Sequence, residues 1–196
     1  MKTVLTFLFL CLTCFAQELP VVVDKIIIRT PVYTATIDGD NKRTVSIIGE
    51  LSPDEIVRPI PKQHNARKYW HSPELQPFLQ TQEDLPHDYS HAWCILWVSN
   101  HPNWEYANNW MNVVPEWPKV NRVYVRIVED YFADIVVKTG VPHRIEINFF
   151  YPEDVCTNIP EYRTMELSAP DGKLVDKYKI PNDPQISGNW RSYSVK

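Results

Sequence analysis

Two β-branched runs, Val32 to Ile37 and Arg43 to Ile48, flank Asp38-Gly39-Asp40-Asn41-Lys42, and a turn-rich link between such runs predicts a β-hairpin. Arg144 to Phe150 alternates Ile145, Ile147 and Phe149 with Arg144, Glu146 and Asn148, the period of a half-buried strand. Met165-Glu166-Leu167, the turn Pro170-Asp171-Gly172 and Lys173 to Ile180 predict a second hairpin. His91 to Ser99 is apolar on both faces, Trp93, Ile95 and Trp97 against Cys94, Leu96 and Val98, as a central strand requires. Val120 to Val128 sets Val123, Val125 and Ile127 against Tyr124 and Arg126 and reads as a strand. Tyr131 to Thr139 fits either a strand or a helical turn, ended by Gly140-Val141-Pro142. Helical signals are brief. Ser52-Pro53-Asp54-Glu55 is a capping box with proline at the first helical position, stopped after one turn by Arg58-Pro59, and a short helix fits Ser72 to Gln80.

Seventeen prolines against five glycines stiffen the loops and leave little room for long helices. The expected fold is therefore all-β, an antiparallel β-sandwich with short helical turns and a long proline-rich loop. Residues 1–16 carry Lys2, an apolar run from Val4 to Phe15 and the small Ala16, the pattern of a signal peptide cut before Gln17. Residues 17–196 then form a single domain with an insertion-like segment at 59–90 and a C-terminal hairpin. The apolar run of the leader is shorter than the roughly 20 residues a spanning helix needs, so no transmembrane segment is expected. The predicted location is outside the cell, periplasmic or lipid-anchored if the source is bacterial.

Export decides how the cysteines are read. Cys11 and Cys14 leave with the leader, and Cys94 and Cys156 are expected to pair in an oxidising compartment. Closing that loop stabilises by roughly 4 kcal/mol in the chain-entropy model.

Several segments resemble the PLAT/LH2 β-sandwich, a module appended to lipases and lipoxygenases. Ile26-Ile27-Ile28-Arg29-Thr30 and Val45-Ser46-Ile47-Ile48-Gly49-Glu50 are similar to its opening strand pair, with Pro31 where the family often has glycine. Ile95 to Asn100, Pro115-Glu116-Trp117-Pro118, Val123-Tyr124-Val125 and Ile147-Asn148-Phe149 are similar to later strands and a Pro-x-Trp corner, so the match covers residues 26–50 and 92–150. The resemblance implies a binding module for lipid surfaces or partner proteins, without catalysis of its own. The family's acidic calcium loop and terminal Cys-x-x-Trp are not evident.

The candidate chemistry is thin. Five of the seven tryptophans, Trp93, Trp97, Trp104, Trp110 and Trp117, fall close together with Tyr106 and the amides Asn100, Asn103, Asn108, Asn109 and Asn112. Trp93 and Trp97 fit a core strand. Trp104, Tyr106, Asn109 and Trp110 lie in a loop without strand periodicity and are the predicted ligand-binding residues, since aromatic faces beside amides suit sugars, interfaces and protein contacts. His87 and His91 share one side of a strand but stand about 13 Å apart, too far to share a metal. Asp38-Gly39-Asp40-Asn41 lacks the spacing of a calcium loop. The net charge of −4, or −5 without the leader's Lys2, and the lack of a basic tract argue against nucleic acid as a partner. No catalytic residue, metal or cofactor is predicted. The expected function is a secreted, non-enzymatic module contacting a lipid surface or an extracellular protein. Carbohydrate binding and a structural matrix or coat role are the alternatives, and a secreted hydrolase ranks last.

Overall fold

A computed structural model describes residues 25–56, 75–80, 88–93, 106, 109–153 and 155–195, with only the backbone of Ser90–Trp93. The leader, Cys94 to Ser99, Trp104 and most of the proline-rich segment lie outside the described residues.

Six strands form one antiparallel sheet: β1 (Ile26–Arg29), β2 (Tyr33–Asp38), β3 (Arg43–Leu51), β6 (His143–Phe150), β7 (Tyr162–Ser168) and β8 (Leu174–Pro181), adjacent in that order. Both predicted hairpins are present, β2 with β3 and β7 with β8. In the first turn, Asn41 donates to both Asp38 oxygens and the Arg43 Nε donates to Oδ2 at 2.9 Å. Burial works to raise the Asp38 carboxyl, but Asn41 and Arg43 outweigh it and hold it below the usual carboxylate range. This is a self-satisfied turn.

Alternation sorts the sheet into two faces. Across the inner face Ala35 pairs with Ile47, Ile47 with Ile147, Ile147 with Met165 and Met165 with Tyr178, a continuous row of buried side chains. The outer face carries Thr34, Ile48, Glu146, Glu166 and Lys177 at consecutive register positions. A one-sided apolar sheet must be covered, and a helix covers it.

That helix replaces the predicted strand at Val120 to Val128. Residues Val120–Val125 form a π-helical segment that runs directly into α2 (Arg126–Thr139), while the single turn α1 (Pro53–Ile56) fulfils the capping-box expectation. The physical reason lies in the longer window. Val120, Tyr124, Val125, Val128, Phe132, Ala133 and Val136 are buried, a helical spacing that persists over four turns, whereas Val123 from the short alternation is 43% exposed. Gly140 ends the helix in the left-handed conformation at φ 68°, its N–H bonding the Val136 carbonyl. The fold is thus mostly antiparallel β with few short helices, as expected. In place of a sandwich's second sheet, the described residues lay this helix on the inner face and add a two-stranded ribbon of β4 (Ser90–Trp93) and β5 (Val113–Glu116).

The ribbon corrects a second expectation. Among the described residues Ser90–Trp93 pairs with β5, His91 opposite Pro115, and is not part of the six-stranded sheet. Pro115 has no N–H to give a ladder, which suits a two-stranded ribbon better than a sheet interior. The segment predicted as helical ends in a 3₁₀ turn at Gln76–Phe78.

Candidate functional site

The richest chemistry lies where β5 and α2 meet β7. Arg163 occupies an inner-face position of β7, opposite Phe149 and Ile180, with its guanidinium 5.1 Å from the centre of the Phe149 ring. It reaches out of the sheet to Glu116 at the end of β5. Its Nε donates to Oε1 at 2.6 Å and its Nη2 contacts Oε2, a forked ion pair with both side chains buried. Burial pushes the Glu116 carboxyl up more than Arg163 pulls it down.

Glu129 completes the cluster from α2, in helical phase with the apolar positions that face the sheet. Its carboxyl is pushed up to about 8 by burial, against the pull of Arg163 and Arg126, with the nearby Glu116 and Asp130 adding to the rise. A proton therefore stays on Glu129 at neutral pH. The Glu116–Arg163 pair ties ribbon to sheet, and Glu129 of the helix lies within electrostatic reach of both.

Amides seat the rest of the ribbon. Asn182 accepts from the Trp117 N–H at 2.9 Å and donates to the Pro160 carbonyl at 2.9 Å. Gln80, buried, donates to the Val113 carbonyl and accepts from Asn158. Thr44 of β3 donates to the Met111 carbonyl at 2.9 Å.

Two of the four predicted ligand-binding residues, Asn109 and Trp110, are buried in this arrangement. Asn109 is 1% exposed and caps the 3₁₀ turn Trp110–Asn112, accepting from the Met111 N–H. Trp110 is 4% exposed and belongs to the core. Tyr106 is half-buried, and its carbonyl accepts from the Tyr33 hydroxyl at 3.0 Å. Trp104 lies outside the described residues. Absence of a strand period does not imply exposure, because a capped turn beside a strand is also aperiodic and can be buried.

The expected disulfide is not formed either. Cys156 is an exposed free thiol that donates to the Asn41 Oδ1 at 3.1 Å, and Cys94 lies outside the described residues. No group of three or more metal-ligating side chains occurs among the described residues, and no helix there is long and apolar enough to cross a membrane.

Comparison with known proteins completes the picture. The fold class is a six-stranded antiparallel sheet covered by a helix, with a polar cluster at the ribbon junction. No protein family and no curated protein matches the chain. Solved structures do, 135 chains of them, and a shared fold does not by itself fix an activity. One match is a chain in the crystal structure of the EndoG/EndoGI complex, described as showing the mechanism of EndoG inhibition. The TM-score is 0.72 at 16% identity, over 87% of this chain and 80% of that one. The likeness establishes the fold. It also overturns the expected lipid-surface or carbohydrate module, because the neighbour is part of a protein–protein inhibition complex.

Proposed function

We propose that this chain acts by binding a partner protein, taking one side of a pairing of the EndoG/EndoGI kind. The observation that carries this reading is the match over 87% of the chain to a component of that complex. The local geometry supports it: Glu116 and Arg163, which a catalytic centre would present to substrate, are buried against each other and hold the ribbon to the sheet. The test is to present EndoG and EndoGI separately to the purified chain in calorimetry, with an unrelated acidic protein as control. A stoichiometric complex with one of the two is the expected result, and binding to neither overturns the reading.

A further inference from the structure

We propose that the edge of β1 left unpaired among the described residues is the partner-docking surface, and that it takes an extended segment carrying acidic side chains on either side of an apolar one. This rests on the protein-binding reading above and names the surface for it.

The two edges of the sheet are unlike. β8 is covered by the C-terminal tail, where the Val195 N–H bonds the Lys177 carbonyl at 2.8 Å and Ser194 bridges to Tyr178. β1 has no partner on its far side among the described residues. Unprotected edges pair with other strands unless something prevents it.

The hydrogen-bond phase says which groups are on offer. The Thr30 N–H bonds the Tyr33 carbonyl at 2.9 Å, and bonded and non-bonded pairs alternate along an antiparallel ladder. In the register of β1 with β2, Ile28 opposite Ala35 is therefore a bonded pair, while Ile27 opposite Thr36 and Arg29 opposite Thr34 are not. The N–H and carbonyl of Ile27 and Arg29 point out of the sheet.

The side chains supply the selectivity. Lys25, Ile27 and Arg29 alternate onto the outer face and are all exposed, Ile27 at 61%. Neither cation enters an ion pair among the described residues. Directly opposite residues in an antiparallel pair lie within contact, so an added strand meets Arg29, Ile27 and Lys25 with its own alternate side chains. Carboxylates at the two ends and an apolar residue between them fit that row. A second copy of this chain fits poorly, since an antiparallel pairing centred on Ile27 sets Lys25 against Arg29. Main-chain bonds supply the affinity in such strand addition, and the side-chain pattern supplies the choice of partner.

The probe is a peptide with the pattern Glu-Thr-Val-Thr-Glu, with Lys-Thr-Val-Thr-Lys as control, titrated into the full chain by fluorescence anisotropy. The acidic peptide should bind at least tenfold more tightly than the basic one and shift the Ile27 and Arg29 amide resonances. Ile27→Pro removes only an outward donor, so it should weaken binding at least tenfold while leaving the thermal midpoint nearly unchanged. Arg29→Glu should reverse the preference between the peptides and serves as the second variant should Ile27→Pro disturb folding. Equal binding of both peptides, or no effect of either variant, overturns the proposal. The same variants in the EndoG and EndoGI titrations separate the two claims. A complex formed equally well by wild type and Ile27→Pro defeats the edge and keeps protein binding. Peptide binding sensitive to Ile27→Pro without either complex keeps the edge and defeats the EndoG-type pairing.

Discussion

At the scale of single residues, the Glu116, Arg163 and Glu129 cluster sets the strongest energetic expectations. Removing one member of a buried ion pair strands the other charge. Arg163→Met should thus cost ~3–5 kcal/mol in denaturant unfolding, and Glu116→Leu combined with Arg163→Met should recover most of it. Recovery of nothing would mean that packing over Phe149, not charge, is what Arg163 supplies. Glu129 adds a pH dependence with a definite sign. Its folded pKa, about 8, lies above the unfolded carboxylate value, so between about pH 5 and pH 8 only the folded state keeps the proton. Stability should fall with rising pH across that window by up to ~1.4 kcal/mol per unit and level off above it. Glu129→Gln should flatten this slope, and an unchanged slope in urea titrations would assign it to other groups. Arg163 carries no motif in the sequence, and Glu129 is there one of an acidic set with Asp130 and Asp134. What marks them is phase: Arg163 falls in step with Met165 and Leu167, and Glu129 in step with Val125 and Phe132, charged residues at positions the period assigns to the core.

Elements were legible where one period dominated a short run. β6 shows a strict period of two, and the β2–β3 and β7–β8 hairpins are marked by their turn residues, each with one break in register. The helical stretch from Val120 failed the same approach because its first turns are π-helical and β-branched. A five-residue alternation there mimics a strand, and only the spacing carried on to Val136 betrays the helix. The aromatic loop was misjudged for a related reason, since burial of Asn109 and Trp110 depends on contacts far away in the chain. The end of α2 gives this scale its prediction. Gly140 has φ 68° and nothing within 4 Å of where a Cβ would sit, so the cost of a side chain is conformational alone. Gly140→Ala should lower stability by ~1 kcal/mol, and Gly140→Asn by less, because asparagine tolerates the left-handed region. Equal losses for both in thermal melts would point to a steric cause instead.

For the whole molecule, the question is what keeps a helix and a one-sided sheet as one body, and the C-terminal tail supplies part of the answer. Trp190 lies 5.2 Å from the Tyr131 ring of α2 and 5.4 Å from the Tyr178 ring of β8, touching both layers. Tyr193 meets Tyr124 edge-on at 5.7 Å, and the Tyr124 hydroxyl donates to the Gly188 carbonyl at 3.3 Å. Burial and the neighbouring Asp176 raise the Tyr178 hydroxyl well above the usual phenol range, so it remains a donor to that carboxylate at any ordinary pH. The tail thus covers the β8 edge and pins the helix at once. Trp190→Ala should remove ring contacts to both layers for about 2 kcal/mol, less than the full cost of a buried tryptophan because the ring is only half-buried. In a chain of this size that lowers the midpoint by roughly 4–8 °C, while Trp190→Phe keeps one ring in place and should lose less than half as much. The change should also make β8 a second open edge. If so, Trp190→Ala should begin to self-associate through β8 in sedimentation while the wild type does not. A variant that melts early but stays monomeric would show that the tail clamps the layers without guarding the edge, and the contrast between β8 and β1 would then no longer single out β1.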